Sequence, residues 1–293
     1  MIQSESFLMR AFRKIGFEGL AWSLRRLHCP VPKDALVLEV GSGGKPYFRA
    51  NVLLDAFEDG LHRYGSELVV DRPFVFGDME NLPFRDKVFD FVIASHVLEH
   101  SSYPDRFLKE LERVARGGYI ETPDAFVERI NPYHFHKLEV TVRDERLCIR
   151  KKSAWVSDPA LTELYEHYAK RFIAYELIPQ RPFAFNVRYY WEGTIQYGIL
   201  NPEVDADWPI VEKPAHESEQ PCLKARINSA ILRVINVLLS QRARNRRLDI
   251  VPLLRCPSCH ADPLEKQGDE IVCKGCGTAY AMPNNVPRMY TSG

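Results

Sequence analysis

The run Val37-Leu-Glu-Val-Gly-Ser-Gly-Gly44 decides the fold. Its first four residues read as a buried strand, and a glycine-rich turn follows at once. Glycine there lets the backbone turn sharply and lets a ligand approach with no Cβ in the way. Working outward, residues 35–123 alternate short apolar runs with polar or helical stretches, the pattern of a parallel sheet covered by helices. Strands are expected at 35–40, 51–54, 89–95 and 118–122. Between the last two, Phe107, Leu108, Leu111 and Val114 share one face of a helix over 105–114, which Pro104-Asp105 starts. The fold class is α/β.

Beyond the sheet, two antiparallel hairpins are expected. Strands 138–142 and 147–150 flank one turn, and 183–191 and 194–200 flank Glu192-Gly193. Residues 161–177 read as helix. The Pro-, Glu- and Asp-rich stretch 201–222 reads as a linker. A basic amphipathic helix is expected over 223–247, with Ile227, Ile231, Val234 and Leu238 on one face and Arg242-Ala-Arg-Asn-Arg-Arg247 at its end. The domains are then 1–200 with N-terminal helices, the linker 201–222, the helix 223–247 and a small module 248–293.

The 293 residues suffice for one α/β domain and such a module, and 45% hydrophobic against 27% charged residues is ordinary for a globular chain. A formal net charge of zero gives no global attraction to nucleic acid or to a membrane. The N-terminal apolar residues are interrupted by arginines and a lysine, so they do not form a signal peptide. Phe7, Phe12, Ile15, Leu20, Leu24 and Leu27 recur at helical spacing and are expected to pack on the domain edge. No stretch reaches the roughly 20 apolar residues of a transmembrane span. A cytoplasmic location is expected.

Three further features follow the glycine turn in order. Asp55 ends the second strand, where a carboxylate can hydrogen-bond a ribose diol. Gly77-Asp-Met-Glu-Asn-Leu-Pro-Phe84 places Asp78 to accept from an adenine amino group and Met79 to lie against the ring. Phe89-Asp-Phe-Val-Ile-Ala-Ser-His-Val-Leu-Glu-His100 then leaves the carboxyl end of a strand, where open α/β sheets place their ligands. With these in view, residues 35–123 resemble the Rossmann-like class I methyltransferases of the broad ubiquinone-biosynthesis type. The resemblance implies S-adenosyl-L-methionine as cofactor, a mostly parallel sheet with an antiparallel hairpin, and roles for particular residues. Glu39, Gly41, Ser42 and Gly43 would line the methionine portion, Asp55 the ribose, and Asp78 with Met79 the adenine, with Ser95 and His96 beside the sulfonium and the substrate. The position that a dinucleotide fingerprint gives its third glycine is Pro46, which suits a cofactor without pyrophosphate. Asp55 follows Gly41 by only fourteen positions, so the helix between them must be very short or absent.

Methyl transfer needs a base only if the acceptor loses a proton as it attacks. His96, His134 and His136 are the candidates, with Glu121 and Tyr133 near; each also has the plainer reading of a histidine bonded to backbone. His134-Phe-His136 has the look of a metal pair, but a third ligand is not visible in the sequence.

Cys256-Pro-Ser-Cys259 and Cys273-Lys-Gly-Cys276 bring two pairs of thiols together in tight turns. Four soft ligands in closed geometry favour one structural Zn²⁺ per chain over a redox pair. The flanks, over 248–291, resemble the zinc-ribbon activators shared by tRNA, rRNA and release-factor methyltransferases, which implies that the ribbon docks on the methyltransferase domain in cis. The expected function is methyl transfer to an O or N atom of a small-molecule, glycan or lipid-linked acceptor. RNA is the alternative acceptor, suggested by the ribbon's kinship and the basic segment 224–255; a non-catalytic cofactor-binding scaffold is the second alternative.

Overall fold

The computed structural model describes residues 4–58, 67–156, 158–209 and 239–291. The chain forms two compact units that interleave in sequence. One draws its described residues from Met1–Pro32, Ala94–Glu112 and Arg116–Val211, the other from Lys33–Ile93, Arg113–Ala115 and Glu212–Gly293. The expected division at residue 200 therefore differs from the compact units.

The strands of the main sheet are β1 (Val37–Val40), β2 (Val52–Asp55), β3 (Phe74–Gly77), β4 (Phe91–Ser95), β5 (Gly117–Pro123), β8 (Asn186–Glu192) and β13 (Arg288–Met289). Their order is β13-β3-β2-β1-β4-β5-β8. β1 to β3 are buried at every residue, which is why they read as continuous apolar runs without alternation. β1 and β2, β2 and β3, and β3 and β13 pair in parallel, while β5 and β8 run antiparallel. The strand β3 has no counterpart among the four expected. No helix intervenes between β1 and β2, in agreement with the short spacing from Gly41 to Asp55.

The helix α3 (Pro104–Val114) buries Phe107, Leu108, Leu111 and Val114 completely, the face expected of it. The first hairpin, β6 (Leu138–Arg143) with β7 (Arg146–Lys151), also matches expectation. The second does not form. β8 pairs with β5 and β9 (Tyr197–Ile199) pairs in parallel with β7, so the turn at Gly193, with φ 75°, joins strands of different sheets. Phe183 to Phe185 lie in the short helix Pro182–Phe185 instead of a strand. The expected helix over 161–177 is present but passes through two π-helical turns, Tyr165–Ala169 and Ile173–Leu177.

At the N-terminus, α1 (Phe7–Lys14) is capped by Ser6, whose hydroxyl accepts from the Met9 N–H, and α2 (Glu18–Leu24) follows. Their apolar stripe is not packed as expected. Met9 and Ala21 are buried, but Phe7, Ile15, Leu20 and Leu27 are exposed.

Of the expected linker, 201–209 lie against the first unit: Asn201 bonds both backbone groups of Lys151, and the Trp208 indole donates to the Lys152 carbonyl. Of the expected basic helix, 223–238 lie outside the described residues. In the remainder Gln241 adopts a left-handed conformation, φ 51°, and the helix Arg242–Asn245 starts after it. No helix of the described residues is long and apolar enough to cross a membrane.

Candidate functional site

The glycine turn in the second unit is held by its neighbours on both sides. The N–H groups of Gly41 and Ser42 donate to the Leu54 carbonyl at 2.8 and 3.2 Å, and the Gly43 N–H donates to Asp55 Oδ2 at 2.9 Å. Gly41 and Gly43 have φ of 67° and 53°, the left-handed region that glycine enters without a Cβ clash. Glu39 is 2% exposed and accepts from the Tyr47 N–H at 2.7 Å, which ties the loop after the turn back to β1. The Ser42 hydroxyl is buried with no hydrogen-bond partner, the mark of a polar atom that awaits a ligand. Asp55, at the carboxyl end of β2, also accepts from the Phe57 N–H, and a carboxylate retains further lone pairs for a diol. Directly after β3, Asp78 is exposed, accepts from the Glu80 N–H at 2.8 Å, and is followed by a half-buried Met79. The turn, the orphan hydroxyl and the carboxylate fit the ribose and amino-acid ends of S-adenosylmethionine.

In the first unit, Glu121 of β5 gathers a group of donors. It is fully buried and receives Arg25 through Nε and Nη2 at 2.7 and 3.0 Å, Ser95 Oγ at 3.1 Å, and the Tyr119 hydroxyl. Burial opposes its charge, but His96 and Arg25 outweigh burial and hold its carboxyl well below the usual carboxylate range. His96 stands at the end of β4 in a left-handed conformation, φ 58°, with its N–H donating to the Glu121 carbonyl at 2.7 Å. Its Nε2 is 3.3 Å from Glu121 and its Nδ1 is 3.4 Å from Glu99. The side chain is 46% exposed; the protein crowding it opposes its charge, yet the two carboxylates push its pKa up to about 10. The two carboxylates thus favour the protonated form of the ring, in which it donates to them. Arg25 carries no local signal in the sequence, since its partner lies 96 residues away.

His136 is buried, and its Nδ1 donates to Glu128 Oε2 at 2.6 Å. Glu128 also accepts from Lys152 Nζ at 2.7 Å and from the Tyr133 N–H at 3.1 Å. His134 meets the rings of Phe135 and Trp155. His96, His134 and His136 thus occupy three different environments.

The four ribbon cysteines converge, with their sulfurs within 4.8 Å of one another. Cys256 and Cys276 lie 3.7 Å apart and Cys259 and Cys273 3.5 Å apart. Tetrahedral Zn–S bonds of about 2.3 Å require S···S separations of about 3.8 Å, so the donor set fits one zinc ion. Tyr280 and Thr278 hydroxyls lie 3.0 and 3.1 Å from Cys256 and Cys276, and the Gly275 N–H donates to Cys273. Such donors stabilise thiolates around a metal. A three-stranded antiparallel sheet, β10 (Leu264–Gln267), β11 (Glu270–Cys273) and β12 (Ala279–Ala281), carries the second pair.

The ribbon is built into the same unit as the glycine turn. The Arg85 N–H donates to the Leu253 carbonyl and the Arg255 N–H to the Pro83 carbonyl, an antiparallel bridge centred on Phe84 and Leu254. Asn81, whose N–H donates to the Asp78 carbonyl, also reaches the Pro257 carbonyl through its side chain at 3.0 Å. β13 then pairs with β3, and Val286 packs on Ala50, Leu53, Phe74 and Phe76. Just ahead of the ribbon, Asn51 donates to Gln241 and Asn245 while accepting from the Val37 N–H. Arg244 donates to the carbonyls of Lys33, Asp34 and Ala35, so this arginine of the basic segment is bound within the fold.

Comparison with known proteins matches these regions separately. Residues 38–120 match the family described as a methyltransferase domain, and residues 247–281 the family of Trm112p-like proteins. Over 100 residues the chain is 41% identical to phthiotriol/phenolphthiotriol dimycocerosates methyltransferase 1 of Mycobacterium ulcerans, covering 30% of this chain and 36% of that protein. Over 85 residues it is 34% identical to demethylmenaquinone methyltransferase of Paenarthrobacter aurescens, covering 28% and 34%. The chain thus spans about a third of the length of these curated relatives. Among solved structures, a complex of the Haloferax volcanii Trm112 methyltransferase activator is similar at 15% identity with a TM-score of 0.37, covering 64% of this chain and 94% of that one.

Proposed function

We propose that this chain, which carries a class I methyltransferase domain and a C-terminal Trm112p-like zinc ribbon, transfers a methyl group from S-adenosylmethionine to a hydroxyl of a lipid or lipid-linked acceptor. The observation that carries the cofactor is the closed glycine turn, with Asp55 bonded across it and the Ser42 hydroxyl left without a partner. Bound there, the cofactor supplies an electrophilic methyl on a sulfonium. Gly41 and Gly43 admit its amino-acid end, Asp55 holds the ribose, and Asp78 with Met79 holds the adenine. The transfer would be an in-line displacement in which the acceptor oxygen bonds the methyl, the sulfonium leaves as the thioether and the hydroxyl proton passes to solvent water, so much of the rate would come from positioning. In its protonated form, which Glu121 and Glu99 favour, His96 contributes positive charge.

The acceptor class is supported from two sides. The relatives' names refer to a dimycocerosate and a quinone precursor. In this chain, Phe7, Ile15, Phe17, Leu161 and Phe172 of the first unit are exposed and offer apolar surface to such an acceptor. One zinc ion is assigned to the four cysteines.

The test is transfer of labelled methyl from S-adenosylmethionine into separated fractions of a cell extract. Label is expected in the organic-solvent fraction. Label confined to the RNA fraction would replace this acceptor with the alternative, and label confined to polar metabolites would remove the lipid.

A further inference from the structure

A second cluster of metal-ligating side chains lies in the first unit, apart from the ribbon. One ring nitrogen each of His100 and His136 and one carboxylate oxygen of Glu99 lie within 4.8 Å of one another. Glu99 and His136 are 2% and 6% exposed. Neither oxygen of Glu99 has a hydrogen-bond partner, and the His96 ring at 3.4 Å approaches at ion-pair distance only. A buried carboxylate without donors is unfavourable unless something else compensates its charge. Histidines beside it would ordinarily do so by donating a proton to it.

Here both turn their Nδ1 elsewhere. His100 Nδ1 faces the Phe135 carbonyl at 3.3 Å and His136 Nδ1 faces Glu128 at 2.6 Å. A carbonyl or carboxylate oxygen only accepts, so each Nδ1 carries a hydrogen, and Nε2 is the nitrogen of each ring left to ligate an ion. This is how metal-bound histidines are oriented, with the far nitrogen donating to a backbone carbonyl or carboxylate. Lys152 in turn balances the charge of Glu128. Two imidazole rings and a carboxylate whose oxygens lack a hydrogen-bond donor converge on one small space, with His96 only at ion-pair distance.

We infer that Glu99, His100 and His136 bind a first-row divalent transition metal ion. Nitrogen and oxygen donors without thiolate suit manganese, iron or zinc and disfavour soft monovalent copper. Three protein ligands leave positions open for water or for an oxygen of a bound small molecule, unlike the closed ribbon site. That such an oxygen belongs to the methyl acceptor rests on the function proposed above; ion binding itself does not.

The test uses Mn²⁺ as probe on the full chain with its ribbon loaded with zinc, since thiolates take manganese poorly. Loss of the free Mn²⁺ resonance signal should show one bound ion per chain, with neither acceptor nor cofactor present. Glu99→Gln and His136→Gln should each weaken binding at least tenfold, and Glu128→Gln about tenfold through the orientation of His136. His134→Gln should leave it unchanged. Wild-type protein that binds neither Mn²⁺ nor a second equivalent of Zn²⁺ overturns the site, whatever the variants do. Binding unaffected by Glu99→Gln and His136→Gln, in protein with wild-type circular dichroism, overturns it equally. Failure here leaves cofactor affinity and methyl transfer intact as separate measurements.

Discussion

Arg25 and Glu121 form a two-pronged ion pair, Nε to Oε2 at 2.7 Å and Nη2 to Oε1 at 3.0 Å, and the carboxylate has no exposure to solvent. The guanidinium is also stacked over Trp22 at 4.0 Å. Removing one partner of such a pair strands a buried charge, which typically costs about 3–5 kcal/mol. Arg25→Ala should lie toward the lower end, because Ser95 and Tyr119 still donate to Glu121. Urea denaturation reads the loss directly; a change below about 1 kcal/mol would mean that the pair is incidental.

Asp55→Ala should weaken S-adenosylmethionine and S-adenosylhomocysteine binding about ten- to a hundredfold, as expected for a lost charge-assisted hydrogen bond. The same change frees the Gly43 N–H, so part of the loss comes from a loosened turn. Asp55→Asn retains one acceptor and should lose less. Titration calorimetry distinguishes the two, and equal, native affinity in both variants would remove Asp55 from the cofactor site.

Gly41→Val places a β-branched side chain at φ 67° in the turn that the cofactor must enter. Binding should be abolished while the far-ultraviolet circular dichroism stays near native. Native affinity in this variant would show that the turn is not the cradle.

Freshly purified protein should hold zinc on its four cysteines, and Cys256→Ser with Cys273→Ser should release that equivalent on elemental analysis. A small module with so few large apolar residues draws much of its folding free energy from the ion. Because Asn81 links the Asp78 turn to Pro257, zinc loss should also weaken cofactor binding. A chain ending at Pro221 should show the same weakening and a lower melting temperature. Unchanged cofactor affinity and melting in that chain would separate the ribbon from the cradle.

What the sequence revealed and what it hid divides by distance along the chain. The glycine turn, Asp55 and the four cysteines each belong to a short segment whose residue types state their chemistry. The face of α3 was legible because a helix repeats its contacts every few residues. β3 was missed because Phe-Val-Phe-Gly is brief and follows Pro73, so nothing local distinguishes it from a loop. At Glu192-Gly193 the turn was read correctly, but the partners of β8 and β9 were set by distant strands. Arg25 and the engagement of His136 by Glu128 depend on packing that no window of sequence contains. The apolar stripe of α1 and α2 had helical spacing as read, but spacing does not say what covers a face.

The pairing of β13 with β3 has a consequence for how the ribbon is supplied. A strand lent by a separate subunit would leave at low concentration, and several enzymes would compete for a limited pool of it. Tethered to the same chain, it meets its edge at an effective concentration on the order of millimolar, whatever the amount of protein. The edge of β3 is then covered in each molecule from the time it folds, which denies neighbouring chains a template for strand addition. Dilution cannot strip this enzyme of its ribbon; only loss of the metal or a cut in the tether can.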